Sequence, residues 1–184
     1  MLTGWEVRLL YTRKNIFGHD GLMGSQAPIA VGHCYSTQHP TIVHLGDASA
    51  EEDYVFGALG WASTKNLPIL FVVEDNNLSI LTEKKVRRNW EMHDVAKAFQ
   101  MRGKNISDDP IEIREALDDV FNGPMLLNIN THRKFWHSGA GIDDEDTFDR
   151  YQAEMALLGS DAKEIDQQYK QKINELWKKQ LETQ

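Results

Sequence analysis

Along residues 41–73 apolar runs and polar turns alternate at short intervals: TIVHL, then GDASAEED, then the helix-like YVFGALGWASTKN, then PILFVV. Two continuous apolar runs rich in Ile, Val and Leu, joined by a helix-length stretch, predict a βαβ unit with strands covered on both faces. A further run, PMLLNIN at 124–130, follows IEIREALDDVFNG, whose apolar positions recur at three and four. The unit therefore repeats, and the pattern predicts an α/β protein with a doubly wound, mostly parallel sheet flanked by helices. Upstream, GLMGSQAPIAVGHCYSTQH reads as a small-residue helix with Pro28 tolerated in its first turn. Downstream, after the polar HSGAGIDDEDTFDR, residues Ile165, Tyr169, Ile173, Leu176 and Leu181 recur at helical spacing. They predict an amphipathic C-terminal helix over 161–184, packed on a neighbour. With no internal repeat or long linker, one domain over 1–184 is expected, with 1–16 as a lead-in.

Composition narrows the classes. The chain has 184 residues, 41% hydrophobic and 26% charged, enough for one globular core without covalent staples. Its 20 Lys and Arg face 28 Asp and Glu, a net charge of −8, so its field repels phosphate backbones and no nucleic-acid partner is expected. Cys34 is the single cysteine, which excludes an intramolecular disulfide and a Cys-built zinc site and fits a reducing compartment. No segment approaches the roughly 20 apolar residues of a membrane span, and MLTGWEVRLLYTRKN lacks the apolar run of a signal peptide. The expectation is a cytoplasmic protein with no membrane partner.

Ligands of an open parallel sheet sit outside the carboxyl ends of its strands, so the residues after each apolar run carry the candidate chemistry. TIVHL ends in Gly46-Asp47-Ala48-Ser49, ILFVV ends in Glu74-Asp75-Asn76-Asn77, and MLLNIN ends in Thr131-His132-Arg133, with His137 and Ser138 beyond. Hard oxygen donors such as Asp47 and Asn76 suit magnesium, which binds through one or two protein side chains plus phosphate oxygens. A helix starting after Asp47 points free backbone donors at the same place and favours an anion. Together they predict a metal-bound diphosphate.

These residues also carry a family resemblance. The segment GDASAEEDYVFGALGWASTKNLPILFVVEDNN resembles the thiamine-diphosphate signature, GDG followed about thirty residues later by NN, of the alpha subunits of 2-oxo acid dehydrogenases of the pyruvate, branched-chain and acetoin type. GHDGLMGSQAPIAVG is similar to that family's GGNGIVGAQVPLAVG-type segment, and THRKFWHSG to its TYRxxGHS segment, in the same order. The resemblance implies thiamine diphosphate and Mg2+ as cofactors. Asp47 and Asn76 would ligate the metal by side chain and Leu78 by its carbonyl, while Ala48 and Ser49 offer backbone donors to the diphosphate. Gly21 aligns with a residue whose carbonyl meets the aminopyrimidine, and Met23 with the apolar residue that props the cofactor in its bent form. His137 matches the active-site histidine, and Arg133 an arginine of the same loop.

The resemblance further implies decarboxylation of a 2-oxo acid and transfer of the acyl or aldehyde unit, a lipoyl carrier protein being one acceptor. It also implies a beta-type, pyrimidine-binding partner subunit that supplies the activating glutamate. Full alpha subunits carry a long region before the block that begins at Gly18, so the expectation here is a shortened form, the diphosphate-binding module. Ala48 replaces the third signature glycine, which is harmless only if that residue has helical dihedrals. Asp75 replaces the first Asn, either perturbing the metal or facing away.

Each residue has an ordinary reading as well. Asp47 alone is what many flavodoxin-like or receiver-like strand ends carry, Asn76 alone caps loops, and an isolated His137 is a surface histidine. Met23 alone is a core residue, and Gly21 and Gly24 permit turns. Arg87 and Arg88 follow the second motif, where they could meet phosphate or substrate, but read first as a solvated basic turn, and Trp61, Trp90, Trp136 and Trp177 as core or interface anchors. A transketolase-like or decarboxylase half, and a degenerate non-catalytic binding subunit, are the competing functions.

Overall fold

A computed structural model describes residues 21–135, 137 and 146–182. The expected lead-in, Trp136, Ser138 and much of the acidic stretch lie outside the described residues. The first helix, α1 (Gln26–Thr37), leads into β1 (Thr41–Gly46), and a single tight turn at Ser49–Glu51 precedes α2 (Asp53–Thr64) and β2 (Ile69–Asp75). A small hairpin, β3 (Leu78–Ser79) and β4 (Thr82–Glu83), runs into the one-turn helix α3 (Lys84–Arg87). Then come α4 (Met92–Ala98), β5 (Arg102–Ser107), α5 (Pro110–Ala116), β6 (Met125–Asn130), α6 (Arg150–Leu158) and α7 (Ser160–Glu182).

The four long strands form one parallel sheet in the order β1-β2-β6-β5, the expected α/β architecture. Alternation along β2 explains its continuous apolar run. Ile69, Phe71 and Val73 enter a cluster with Leu59, Val55 and Val31 from α2 and α1, while Leu70 and Val72 enter a second cluster with Leu127 and Ala116 on the opposite face. β1 departs from expectation: Val43 and Leu45 are buried, whereas Ile42 and His44 are exposed, because β1 lies at the sheet edge and carries a covered face on one side only.

Two further differences have local causes. The stretch read as one helix over 111–123 is helical only over Pro110–Ala116, since Asp119 takes φ 57° and Gly123 φ 97°, and the chain turns twice before β6. Its start is set by Asp109, whose carboxylate accepts from the amides of Ile111 and Glu112, with Pro110 at the first helical position. The edge strand β5, RGKNIS, was not predicted, since it is polar and Ile106 is its one buried residue. The C-terminal helix is found as predicted, preceded by α6, yet within it only Ala162 is buried.

Candidate functional site

Gly46 and Glu74 are paired in the β1–β2 ladder, so the chain leaves both strands at the same level. The amide of Asp47 still donates to the carbonyl of Glu74, at 3.2 Å. Asp47 then turns into a helical residue: Ala48 has φ −73° and ψ −37°, a conformation open to any L-residue, so the loss of the signature glycine costs nothing in backbone strain. The amides of Ala48 and Ser49 lie at the head of the turn that opens toward α2, where helical donors are unpaired by the helix itself.

The turn over 21–25 docks on this loop. Gly24 has φ +81°, and a Cβ there would lie 2.7 Å from the Ser49 carbonyl oxygen, so this glycine is required both by conformation and by close approach. Met23 lies in the same turn, half exposed rather than in the core, and its carbonyl accepts a hydrogen bond from the Tyr54 hydroxyl on α2. Gly21 is exposed at its start. Two sequence blocks separated by β1 are thereby brought side by side.

At the end of β2, the Asn76 carboxamide oxygen accepts from the amide of Leu78 at 3.0 Å and fixes the turn into β3. Asn77 has φ 66°, and Asp75 accepts from its amide at 3.0 Å. Asp75 does not face away. It is 3% exposed and its carboxylate meets Lys84 Nζ at 2.7 Å, Asn128 Nδ2 at 3.4 Å and Arg88 Nη2 at 3.7 Å. Burial pushes its carboxyl up, but the Lys84 hydrogen bond, the Asn77 amide, the Lys84 charge and Asn128 outweigh burial and hold it below the usual range. Lys84, which also meets Glu91 at 2.9 Å, is lowered by burial and raised further by its two carboxylate partners, ending above its ordinary value.

The largest correction concerns Arg87 and Arg88, read as a solvated turn. Arg88 has a side chain 1% exposed, lies 4.8 Å over the Trp90 ring, and meets the Asp47 carbonyl and a Glu51 carboxylate oxygen, each at 3.3 Å. Arg87 forks between Asp47 and Glu51, one guanidinium nitrogen on each carboxylate. Burial raises the Glu51 carboxyl against the pull of both arginines, with Asp47 adding to the rise. Three cations, Lys84, Arg87 and Arg88, thus interlock with Asp47, Glu51, Asp75 and Glu91. The signal available for them was a dense basic run, Lys84-Lys85-Val86-Arg87-Arg88, in an acidic chain.

The oxygen donors foreseen for a metal lie at neighbouring strand ends, a buried carboxylate on Asp47 after β1 and a carboxamide on Asn76 after β2, with Leu78 two residues further on. They fit a hard cation in kind, since the Asn76 oxygen keeps a second lone pair, while Asp47 is held by a guanidinium in this conformation. Among the described residues there is no group of three or more His, Cys, Asp or Glu placed to hold a metal, so such a site would draw on the carboxamide, a carbonyl and the ligand's own oxygens. His137 is exposed, beyond β6. Arg133 donates to the Ile80 carbonyl and lines, with Asp75, Asn76, Leu78, Lys84 and Thr131, a depression at the ends of β2 and β6 that therefore includes two of the foreseen metal ligands. Trp61 is half exposed and packs edge-on with Tyr35 at 4.9 Å, and Trp177 is exposed.

Comparison with known proteins gives a consistent picture. A family model described as dehydrogenase E1 component matches residues 3–182. The pyruvate dehydrogenase E1 component subunit alpha of Rickettsia bellii is 25% identical over 150 residues, covering 73% of this chain and 45% of the relative. The mitochondrial subunit alpha of Dictyostelium discoideum is 28% identical over 142 residues, covering 68% and 36%. The chain spans less than half the length of these relatives. A transketolase from Campylobacter jejuni superposes with a TM-score of 0.54 at 20% identity, over 62% of this chain and 20% of that one, a likeness of fold. Among the described residues, no helix is long and apolar enough to cross a membrane.

Proposed function

The chain belongs to the dehydrogenase E1 component family, and from that membership we propose that it is the diphosphate-binding module of a thiamine-diphosphate and Mg2+ enzyme that decarboxylates a 2-oxo acid and transfers the acyl or aldehyde unit. The observation that carries the reading is the pairing in register of β1 and β2, which sets Asp47 and Asn76 at adjacent strand ends beside the turn at Ser49–Glu51. The thiazolium would supply the electron sink for decarboxylation. The chain's residues would bind and orient: Asp47, Asn76 and the Leu78 carbonyl hold the metal, Ala48 and Ser49 donate amides to the diphosphate, and Gly21 and Met23 lie along the cofactor from the adjoining turn. His137 would steady charge on substrate or acceptor.

A beta-type subunit that binds the pyrimidine and provides the activating glutamate belongs to the same proposal, as do a lipoyl carrier acceptor, a single domain and a cytoplasmic setting. Cys34 is a buried thiol whose pKa burial pushes up, which makes it a packing residue and not a reactive one. Replacing Asp47 with Ala tests the site. Thiamine diphosphate binding measured calorimetrically in Mg2+ buffer, on the chain with its co-purifying partner, is expected to be lost in Asp47→Ala while the far-ultraviolet circular dichroism is kept. Unchanged affinity would remove the metal assignment. Absence of cofactor binding in the unsubstituted protein would favour a degenerate binding subunit.

A further inference from the structure

The strand-end cluster contains its own cation at the position where a metal would bind. Arg87 spans Asp47 and Glu51, and its side chain is 14% exposed against 4% for Asp47. We propose that the Arg87 guanidinium and a divalent cation are alternative occupants of the Asp47 carboxylate, so that the chain has a closed, arginine-filled state and an open, metal-filled state. This inference rests on the reading of Asp47 as a metal ligand.

Charge balance favours competition over cooperation. Lys84, Arg87 and Arg88 carry three positive charges against four on Asp47, Glu51, Asp75 and Glu91, so the closed cluster offers a diphosphate no surplus positive charge. Both terminal nitrogens of Arg87 are committed to carboxylates. A diphosphate arriving at the Ala48 and Ser49 amides therefore needs a cation brought in from solution, and that cation needs the carboxylate that Arg87 holds.

The closed state is also poorly completed. Arg87 Nε is buried without a hydrogen-bond partner among the described residues, as are Nε and Nη2 of Arg88. A buried donor left unsatisfied costs free energy that the open state would recover in water. Arg87 sits at the end of a four-residue helix fed by a hairpin with two-residue strands, and Arg88 after it is extended at φ −154°. Moving the guanidinium off Asp47 requires rotation of one long side chain at the end of this short helix and leaves the sheet untouched.

The test is a titration of Mn2+ in the presence of thiamine diphosphate, with free Mn2+ read by electron paramagnetic resonance, on the full chain with its co-purifying partner, unsubstituted and as Arg87→Gln, Arg87→Lys and Asp47→Asn. If the closed state is the main one, removing its occupant raises apparent metal affinity by the reciprocal of the open fraction, about tenfold for an open fraction of about one tenth. Arg87→Gln is expected to bind Mn2+ about tenfold tighter. Arg87→Lys, which cannot reproduce the two-carboxylate fork, should fall between it and the unsubstituted chain, and Asp47→Asn should not bind. Should Arg87→Gln fail to fold, Arg87→Lys decides by the direction of its change. Unchanged or weaker binding in the arginine variants, with normal binding in the unsubstituted chain, overturns the competition and leaves the metal site standing. Absence of saturable binding in both the unsubstituted chain and Arg87→Gln overturns both.

Discussion

The ion pairs at the ends of β1 and β2 and the pair on α7 use the same kinds of side chain in opposite surroundings. Arg87, Arg88, Asp47 and Asp75 are sunk against the sheet, whereas Lys170 on α7 meets Asp166 one turn away at 2.7 Å with the lysine side chain 68% exposed. Removal from water makes it costly to leave any member of the first set without a partner charge, whereas solvent screens the second and makes it worth little. Apolar positions differ in the same way. Phe71 and Leu126 are fully buried between sheet and helices, while Ile165, Tyr169, Ile173, Leu176 and Leu181 are each at least half exposed along α7. Periodicity specifies a helix face, and burial of that face requires a second surface.

Substitutions can break or sharpen this contrast. The largest loss is expected for Phe71→Ala, about 4 kcal/mol in urea unfolding, because the cavity is walled by the sheet and cannot collapse. Leu176→Ala on α7 should change the same measurement by less than about 0.5 kcal/mol; equal losses would show that α7 is buried in solution. Next comes Arg88→Met, with a loss of about 3 kcal/mol, since it leaves two cations, Lys84 and Arg87, against the four carboxylates of a largely buried cluster. A neutral outcome would mean that water already reaches the cluster.

A smaller and pH-shaped effect is expected for Lys84. The Asp75 carboxyl is held below its unfolded value, so its contribution is present above about pH 4 and is lost as pH falls through the depressed folded value. The Lys84 ammonium is held above its unfolded value, so its contribution is full below about pH 10.4 and is lost as pH rises through the raised folded value. The excess in melting temperature of the unsubstituted chain over Lys84→Met should therefore hold between those limits and shrink beyond both. A pH-independent excess would remove the ion pair as its cause. Smallest of all, Lys170→Met on α7 should leave the melting temperature close to that of the unsubstituted chain.

Legibility from sequence followed the range of the physics involved. α2, β2 and β6 were readable because their apolar runs are local and covered by neighbouring elements, β1 because its run persists with one face covered, and the placement of Asp47 and Asn76 at adjacent strand ends because that is where the two runs stop. β5 was not, since pairing with β6 on its inner side lets a polar segment such as RGKNIS serve as an edge. The consequence of Ala48 could be posed but not answered until its dihedrals were known. Arg87 and Arg88 were missed because their partners lie forty residues earlier in the chain, a separation at which no periodicity reports contact. The Asp109–Pro110 start of α5 was within reach, as a cap and a proline in tandem.

The most direct test of the account is a crystal structure of the chain and its co-purifying partner with thiamine diphosphate and Mg2+. The account predicts the diphosphate on the Ala48 and Ser49 amides, the metal between Asp47 and Asn76, and the Arg87 guanidinium withdrawn from Asp47. A diphosphate seated instead in the depression beside Lys84 and Arg133, with Arg87 still on Asp47 and no metal between the strand ends, would contradict it.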